Sequence, residues 1–299
     1  MRSRISCARF ALLCYRNKWF GLAAAAIKRP CHCWIARASI KREAARQRRL
    51  SNSGAARPLA VTASSDYDSG LIDFAWDNLK GLQVMRIVLV RHGQTPWNAE
   101  GRYQGRRDIR LSSVGEAQAQ ALARRLSSLT ITHAVASPLL RADVTAQIAL
   151  GPERAAMLQR DADLQELCHG DWEGCLVSDV RRQNPELLAA WFEKPDTVVM
   201  HGGGESLEQL QQRCWRAVTR SARMLSADDV LMIVAHDCVN RVILCRILGL
   251  DLAHFWRFRQ APTAINLIEG PSLEQLYIVR LNDCSHHAPL FEAATQRTV

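Results

Sequence analysis

Met85-Arg86-Ile87-Val88-Leu89-Val90 runs directly into Arg91-His92-Gly93-Gln94-Thr95. A continuous apolar, β-branched run of this kind suits a strand covered on both faces, hence a central strand of a parallel sheet. Polar residues and a glycine just past the carboxyl end of such a strand stand where open α/β sheets bind their ligands. Val230-Leu231-Met232-Ile233-Val234-Ala235 has the same character and ends on His236. These two stretches set the frame for the rest of the chain.

Between and after them the pattern alternates. Ser113-Val114-Gly115-Glu116 reads as a capping box opening a helix to about Leu126. Residues 131–136 read as a strand, and Ser137-Pro138 as the start of a helix with Arg141 in its first turn. Residues 176–192 and 206–225 read as helices, and a further helix follows His236 to about Leu248, with Gly249 suited to its C-cap. Residues 264–268 and 275–281 are two more short strands. Alternating strands and helices predict an α/β fold: a three-layer α/β/α domain over residues 85–299 with a mostly parallel central sheet.

The chain has 299 residues, 39 basic and 29 acidic side chains, and a formal net charge of +10. Residues 1–84 hold 15 Lys/Arg against Glu43, Asp66, Asp68, Asp73 and Asp77, and the remainder is balanced at 24 of each sign. A basic pI points to polyanions, but here that inference applies only to the first 84 residues, so no nucleic-acid partner is expected for the domain. The extension allows three readings: a disordered basic or targeting tail, a non-native stretch ahead of a start at Met85, or a nucleic-acid arm. No apolar run is long enough for a transmembrane helix. Ten cysteines lack any C-x₂-C pair, and Cys31-His32-Cys33 is too tight for ordinary zinc spacing. Scattered thiols among apolar neighbours suggest a reducing, cytoplasmic compartment. Oligomeric state is left open, with a homodimer allowed.

The chemistry lies at the strand ends. His92 and His236 end strands of one type, and Arg91 and Arg141 stand just beyond strands. Two imidazoles and two guanidiniums facing each other repel unless an anion lies between them, and phosphate matches the guanidinium fork. An imidazole with one ring nitrogen held and the other free is a nucleophile, which makes His92 the candidate. A leaving alkoxide needs a proton from a carboxyl of raised pKa, and Glu166, before the Gly170–Gly174 turn, is the candidate acid, with Glu173 as the alternative. His169, His201 and Glu205 lie near glycine-rich loops as further candidates to line the site. Trp172, Trp191 and Trp215 read as core, and His286-His287 as solvated.

The stretch LVRHGQTPWNAEGRYQG resembles the RHG signature of the histidine phosphatase superfamily, which includes the cofactor-dependent phosphoglycerate mutases. LSSVGEAQAQALA, VASPLLRADVTA, LQELCHGDWEG, GGGESL and IVAHDCVNR resemble its later blocks in order. The resemblance covers roughly residues 85–285. It implies a phosphomonoesterase acting on a small phosphorylated metabolite, with His92 as the nucleophile that becomes phosphohistidine. It implies Arg91, Arg141 and His236 as phosphoryl-binding groups, Glu166 as the acid, Asn98 as a phosphate contact, and Gln104 and Gly105 as a substrate-side loop. It implies no metal and no cofactor. Only about 30 residues separate Trp172 from Gly203, which resembles the shorter phosphatase branch; a phosphoglycerate mutase is the alternative. Asp237-Cys238 departs from the Gly or Gly-Gly of many members and places a carboxylate near the anion. A catalytically idle phospho-ligand-binding protein is the reading that Asp237 favours.

Overall fold

The structure, a computed structural model, describes residues 84–226 and 228–287. The basic extension and Cys31-His32-Cys33 lie outside the described residues. The sheet has six strands: β1 (Met85–Arg91), β2 (His133–Ala136), β3 (Leu158–Arg160), β4 (Val230–Ala235), β5 (Ile265–Gly270) and β6 (Tyr277–Asp283). Their order is β3-β2-β4-β1-β5-β6. β3, β2, β4 and β1 are parallel, while β5 and then β6 add antiparallel.

Both faces of the central strands are buried, as their uninterrupted apolar runs require. Ile87 and Leu89 of β1, with Leu231, Ile233 and Ala235 of β4, belong to one core cluster. The alternate residues Val88 and Val90, with Val230, Met232 and Val234, belong to the other. The first face is covered by α4 (Val177–Gln183), α5 (Pro185–Glu193), α6 (Leu207–Ala222) and α7 (Asp237–Ile247), through residues such as Val180, Trp191, Leu210 and Val242. The second is covered by α2 (Ser113–Arg125) and α3 (Leu140–Leu150), through Leu122, Ala142, Ala146 and Ala149. The short α1 (Pro96–Glu100) follows the loop after β1. The expected three-layer α/β/α arrangement is present. No helix among the described residues is long and apolar enough to cross a membrane.

Some local expectations are corrected. α2 is capped by Ser112, whose hydroxyl accepts from Gly115 N–H, rather than by a Ser113–Glu116 box. With two serines in a row, tertiary contact selects the first: Ser112 N–H also donates to the Gln94 carbonyl at 2.9 Å. The loop after β1 and the start of α2 approach backbone to backbone, so a Cβ on Gly115 would lie 2.0 Å from the Gln94 carbonyl oxygen. α3 begins at Leu140, two residues beyond Pro138, where Asp108 Oδ1 accepts from its first N–H at 2.7 Å. The expected single helix over 176–192 is two, because Pro185 starts a new one after Asn184.

Candidate active site

Register brings the strand ends together. Arg91 of β1 pairs with Ala235 of β4, and Val234 of β4 with Ala136 of β2. The residues that follow, His92, His236 and Ser137, therefore stand at one level of the sheet edge. The His92 and His236 rings lie 5.2 Å apart between centroids. Arg91, His92, Asn98, Tyr103, Gln104, Gly105, Arg141 and Glu166 all line one cleft of about 390 Å³. His236 is fully buried beside it.

His92 Nδ1 lies 2.7 Å from the Gly93 carbonyl oxygen. A carbonyl only accepts, so Nδ1 carries the proton and Nε2 keeps its lone pair. Burial drives the His92 pKa well below 6.5, with Arg141 and Arg91 adding to the effect. His236 Nε2 lies 2.7 Å from Ser137 Oγ, its Nδ1 has no partner, and burial followed by Arg141 likewise lowers its pKa. Both imidazoles are thus neutral at pH 7.

Both arginines are held by carbonyls on one side. Arg141 donates to the carbonyls of Gly105 at 2.7 Å and Arg107 at 2.8 Å, and Arg91 to that of Gln260. The Nε of each is buried without a partner. Burial lowers Arg141 to about 10, still charged at neutral pH. Glu166 is 6% exposed, and its carboxyl accepts from the N–H of Leu167 at 2.8 Å and of Cys238 at 3.3 Å. Burial raises its pKa; the Leu167 N–H opposes this, and Asp237 adds to it.

Asp237 also lines the cleft, but its carboxylate is 2.9 Å from Arg241 Nε and 3.9 Å from Arg91 Nη1. The departure from glycine is thereby neutralised within the protein. Glu173, the alternative acid, accepts from the N–H groups of Arg106 and His169, and it is not among the lining residues. Asn98 lines the cleft while its Oδ1 accepts from Thr95 N–H in the α1 capping box, so its NH₂ is what remains for a ligand.

Of the other candidates, His169 lines the cleft, while His201 is exposed and Glu205 pairs with Arg213. His286 and His287, expected to be solvated, are half-buried against Thr263 and the Pro262 carbonyl. Trp191 is both core and cleft wall, and Tyr103, Cys238 and Trp256 are wall residues that sequence reasoning missed. Trp256 is fixed by its Nε1–H donating to the Trp191 carbonyl at 2.7 Å, a contact no local pattern announces. Tyr103 Oη, Gln104 Oε1 and His169 Nδ1 are buried without partners along this wall, and burial lowers His169 to about 4.

Two outcomes follow. Gly105 has φ +52°, and a Cβ there would lie 2.0 Å from Glu173 Oε1. Gly105→Ala should cost about 1–2 kcal/mol of stability for the left-handed backbone and raise KM, measured by thermal unfolding and steady-state kinetics. The second concerns pH. His92, His169 and His236 have folded pKa values below 6.5, so the unfolded chain binds protons that the folded one does not. Stability is therefore lost as pH falls below about 6.5, by about 1.4 kcal/mol per pH unit for each such group. Tm should drop between pH 7 and 5, less steeply in His169→Phe; a Tm that is flat or rises on acidification would contradict the buried neutral imidazoles.

Comparison with known proteins agrees with this geometry. The profile of the histidine phosphatase superfamily (branch 1) matches residues 87–283, and the chain belongs to that superfamily. Phosphoserine phosphatase 1 of Hydrogenobacter thermophilus is 34% identical over 203 residues, covering 68% of this chain and 94% of that protein. Adenosylcobalamin/alpha-ribazole phosphatase of Escherichia coli is 30% identical over 175 residues, 58% of this chain and 85% of that protein. The solved mycobacterial glucosyl-3-phosphoglycerate phosphatase in complex with VO3 has a TM-score of 0.60 at 28% identity, covering 66% of this chain and 98% of that one. The class of activity that follows is phosphoric monoester hydrolysis.

Proposed function

We propose that this phosphatase hydrolyses small phosphate monoesters through a phosphohistidine on His92, in the cytoplasm. The observation that carries the reading is the Nδ1–Gly93 carbonyl bond, which leaves the Nε2 lone pair of a neutral imidazole beside two buried guanidiniums. In the first step Nε2 attacks phosphorus, the bond from phosphorus to the ester oxygen breaks, and Glu166 gives its proton to the departing alcohol. In the second step water attacks phosphorus, Glu166 takes a proton from it, and the N–P electron pair returns to Nε2, releasing phosphate. Arg91 and Arg141 hold the phosphoryl oxygens, and the Asn98 NH₂ is a further donor. Charge developing on the transferring group is met by fixed donors in a buried site, where such interactions are strongest. His236, just beyond the end of β4, faces the same group. Gln104 and Gly105, with Tyr103, His169, Trp191 and Trp256, receive the alcohol portion. Free thiols at Cys168, Cys175, Cys214, Cys238 and Cys245 support a reducing compartment.

The competing activity within the family is mutase chemistry. The test is incubation with 3-phosphoglycerate, a catalytic amount of the bisphosphate, and a panel of other phosphate esters. Release of inorganic phosphate without isomerised phosphoglycerate is expected. Isomerisation faster than phosphate release would overturn the hydrolase reading.

A further inference from the structure

Gln165 to His169 belong to no helix or strand. The Glu166 carboxyl is met by the Leu167 N–H and by the Cys238 N–H at the start of α7, while the backbone that carries it has no regular element of its own. Arg213 of α6 bonds that backbone on both sides of residue 166. Its Nη1 donates to the carbonyls of Asp163 at 2.8 Å and Gln165 at 2.6 Å, and its Nη2 to the carbonyl of Glu166 itself at 2.9 Å. Nε and Nη2 reach the two carboxylate oxygens of Glu205 at 2.8 and 2.9 Å. All five guanidinium protons therefore have acceptors. Glu205 closes the far side by accepting from Cys168 N–H at 3.0 Å, while its own N–H donates to the Cys168 carbonyl. It also pairs with Arg106 at 2.9 Å, next to the Gly105 carbonyl that holds Arg141.

Resting on the reading of Glu166 as the proton donor, we propose that Arg213 and Glu205 are positioning residues for that carboxyl, clamping the chain on both sides of it. Arg216 and Arg220 also bind this segment through Asp161 and Asp163, but their side chains are 60% and 50% exposed, where such pairs contribute little. The Arg213–Glu205 pair is much less exposed, at 9% and 15%, and is bidentate. A lysine in place of Arg213 has no fork with which to hold three carbonyls and a carboxylate together.

A displaced acid has a particular signature. An alkoxide leaves only with a proton, whereas nitrophenolate leaves without one, so loss of proton donation harms alkyl esters selectively. The value of kcat/KM includes P–O cleavage and excludes the later attack of water, which isolates the donor role. The experiment compares kcat/KM for glycerol phosphate and p-nitrophenyl phosphate in the full-length chain and its Arg213→Lys, Arg213→Met, Glu205→Gln and Glu166→Gln variants. Glu166→Gln is the reference, with a loss of roughly 100-fold or more confined to glycerol phosphate. Arg213→Lys and Glu205→Gln should lose about 10- to 100-fold on glycerol phosphate and keep most of the nitrophenyl activity. Equal losses on both esters, or no loss in a folded variant, would overturn the proposal. If Arg213→Met does not fold, the two milder variants decide. If Glu166→Gln itself loses both esters equally, the acid assignment fails and this inference fails with it.

Discussion

Replacing His92 with alanine should lower kcat by on the order of 10⁴-fold or more, because no neighbour can take over the covalent step. The fold should survive. The backbone N–H of residue 92 donates to the Ala235 carbonyl and its carbonyl accepts from Thr263 N–H, and neither bond needs the side chain. Phosphate binding should survive as well, since Arg141 is held by the carbonyls of Gly105 and Arg107 and Arg91 by that of Gln260. The variant should thus be inactive, folded and still stabilised by inorganic phosphate in thermal unfolding. His236→Ala distinguishes the two imidazoles. It removes a group bonded to Ser137 Oγ and should slow turnover while leaving it measurable. Comparable activity in His92→Ala and wild type would remove the nucleophile from the account.

The second large effect concerns Glu166 and pH. Its pKa is raised by burial and Asp237, and as a donor it must be protonated. Activity on alkyl esters should therefore fall as pH rises through that raised value. His92 must be neutral, and its pKa lies well below 6.5, so the acid limb should lie well below pH 6.5. Glu166→Gln should reduce kcat/KM for alkyl esters by about 10²- to 10⁴-fold and abolish the alkaline limb. Asp237→Asn, which takes away a carboxylate that favours the protonated form, should move that limb to lower pH. A limb that persists unchanged in Glu166→Gln would assign the acid elsewhere.

What was legible in the sequence was what local periodicity controls. Burial on both faces makes β1 and β4 unbroken apolar runs, so their ends, and with them His92 and His236, could be located. Their proximity then followed from parallel pairing. β3 was not legible: Leu158-Gln159-Arg160 is a three-residue edge strand with one buried side chain. Glu166 is suggested by the need for a proton donor and its place before a glycine-rich turn, and by a family block, but an irregular segment carries no period that locates it in space; its backbone is held by Arg213, 47 residues away in sequence. The cleft wall at Trp191 and Trp256 depends on a contact spanning 65 residues. Glu205, expected near the cleft lining, acts instead through Arg213 and Cys168. Asp237 reads as hostile to an anion in the sequence because its neutralising partner Arg241, one turn along α7, is paired with it only once the helix is formed.

The convergence of four basic side chains on one phosphoryl group is tested most directly by trapping that group. Wild-type protein mixed with a radiolabelled phosphate ester, quenched in alkali and digested should yield a labelled peptide containing His92, with the label lost in acid as a P–N bond requires. Label on Ser137, Asp237 or His236, or no trapped label during rapid turnover, would contradict the account.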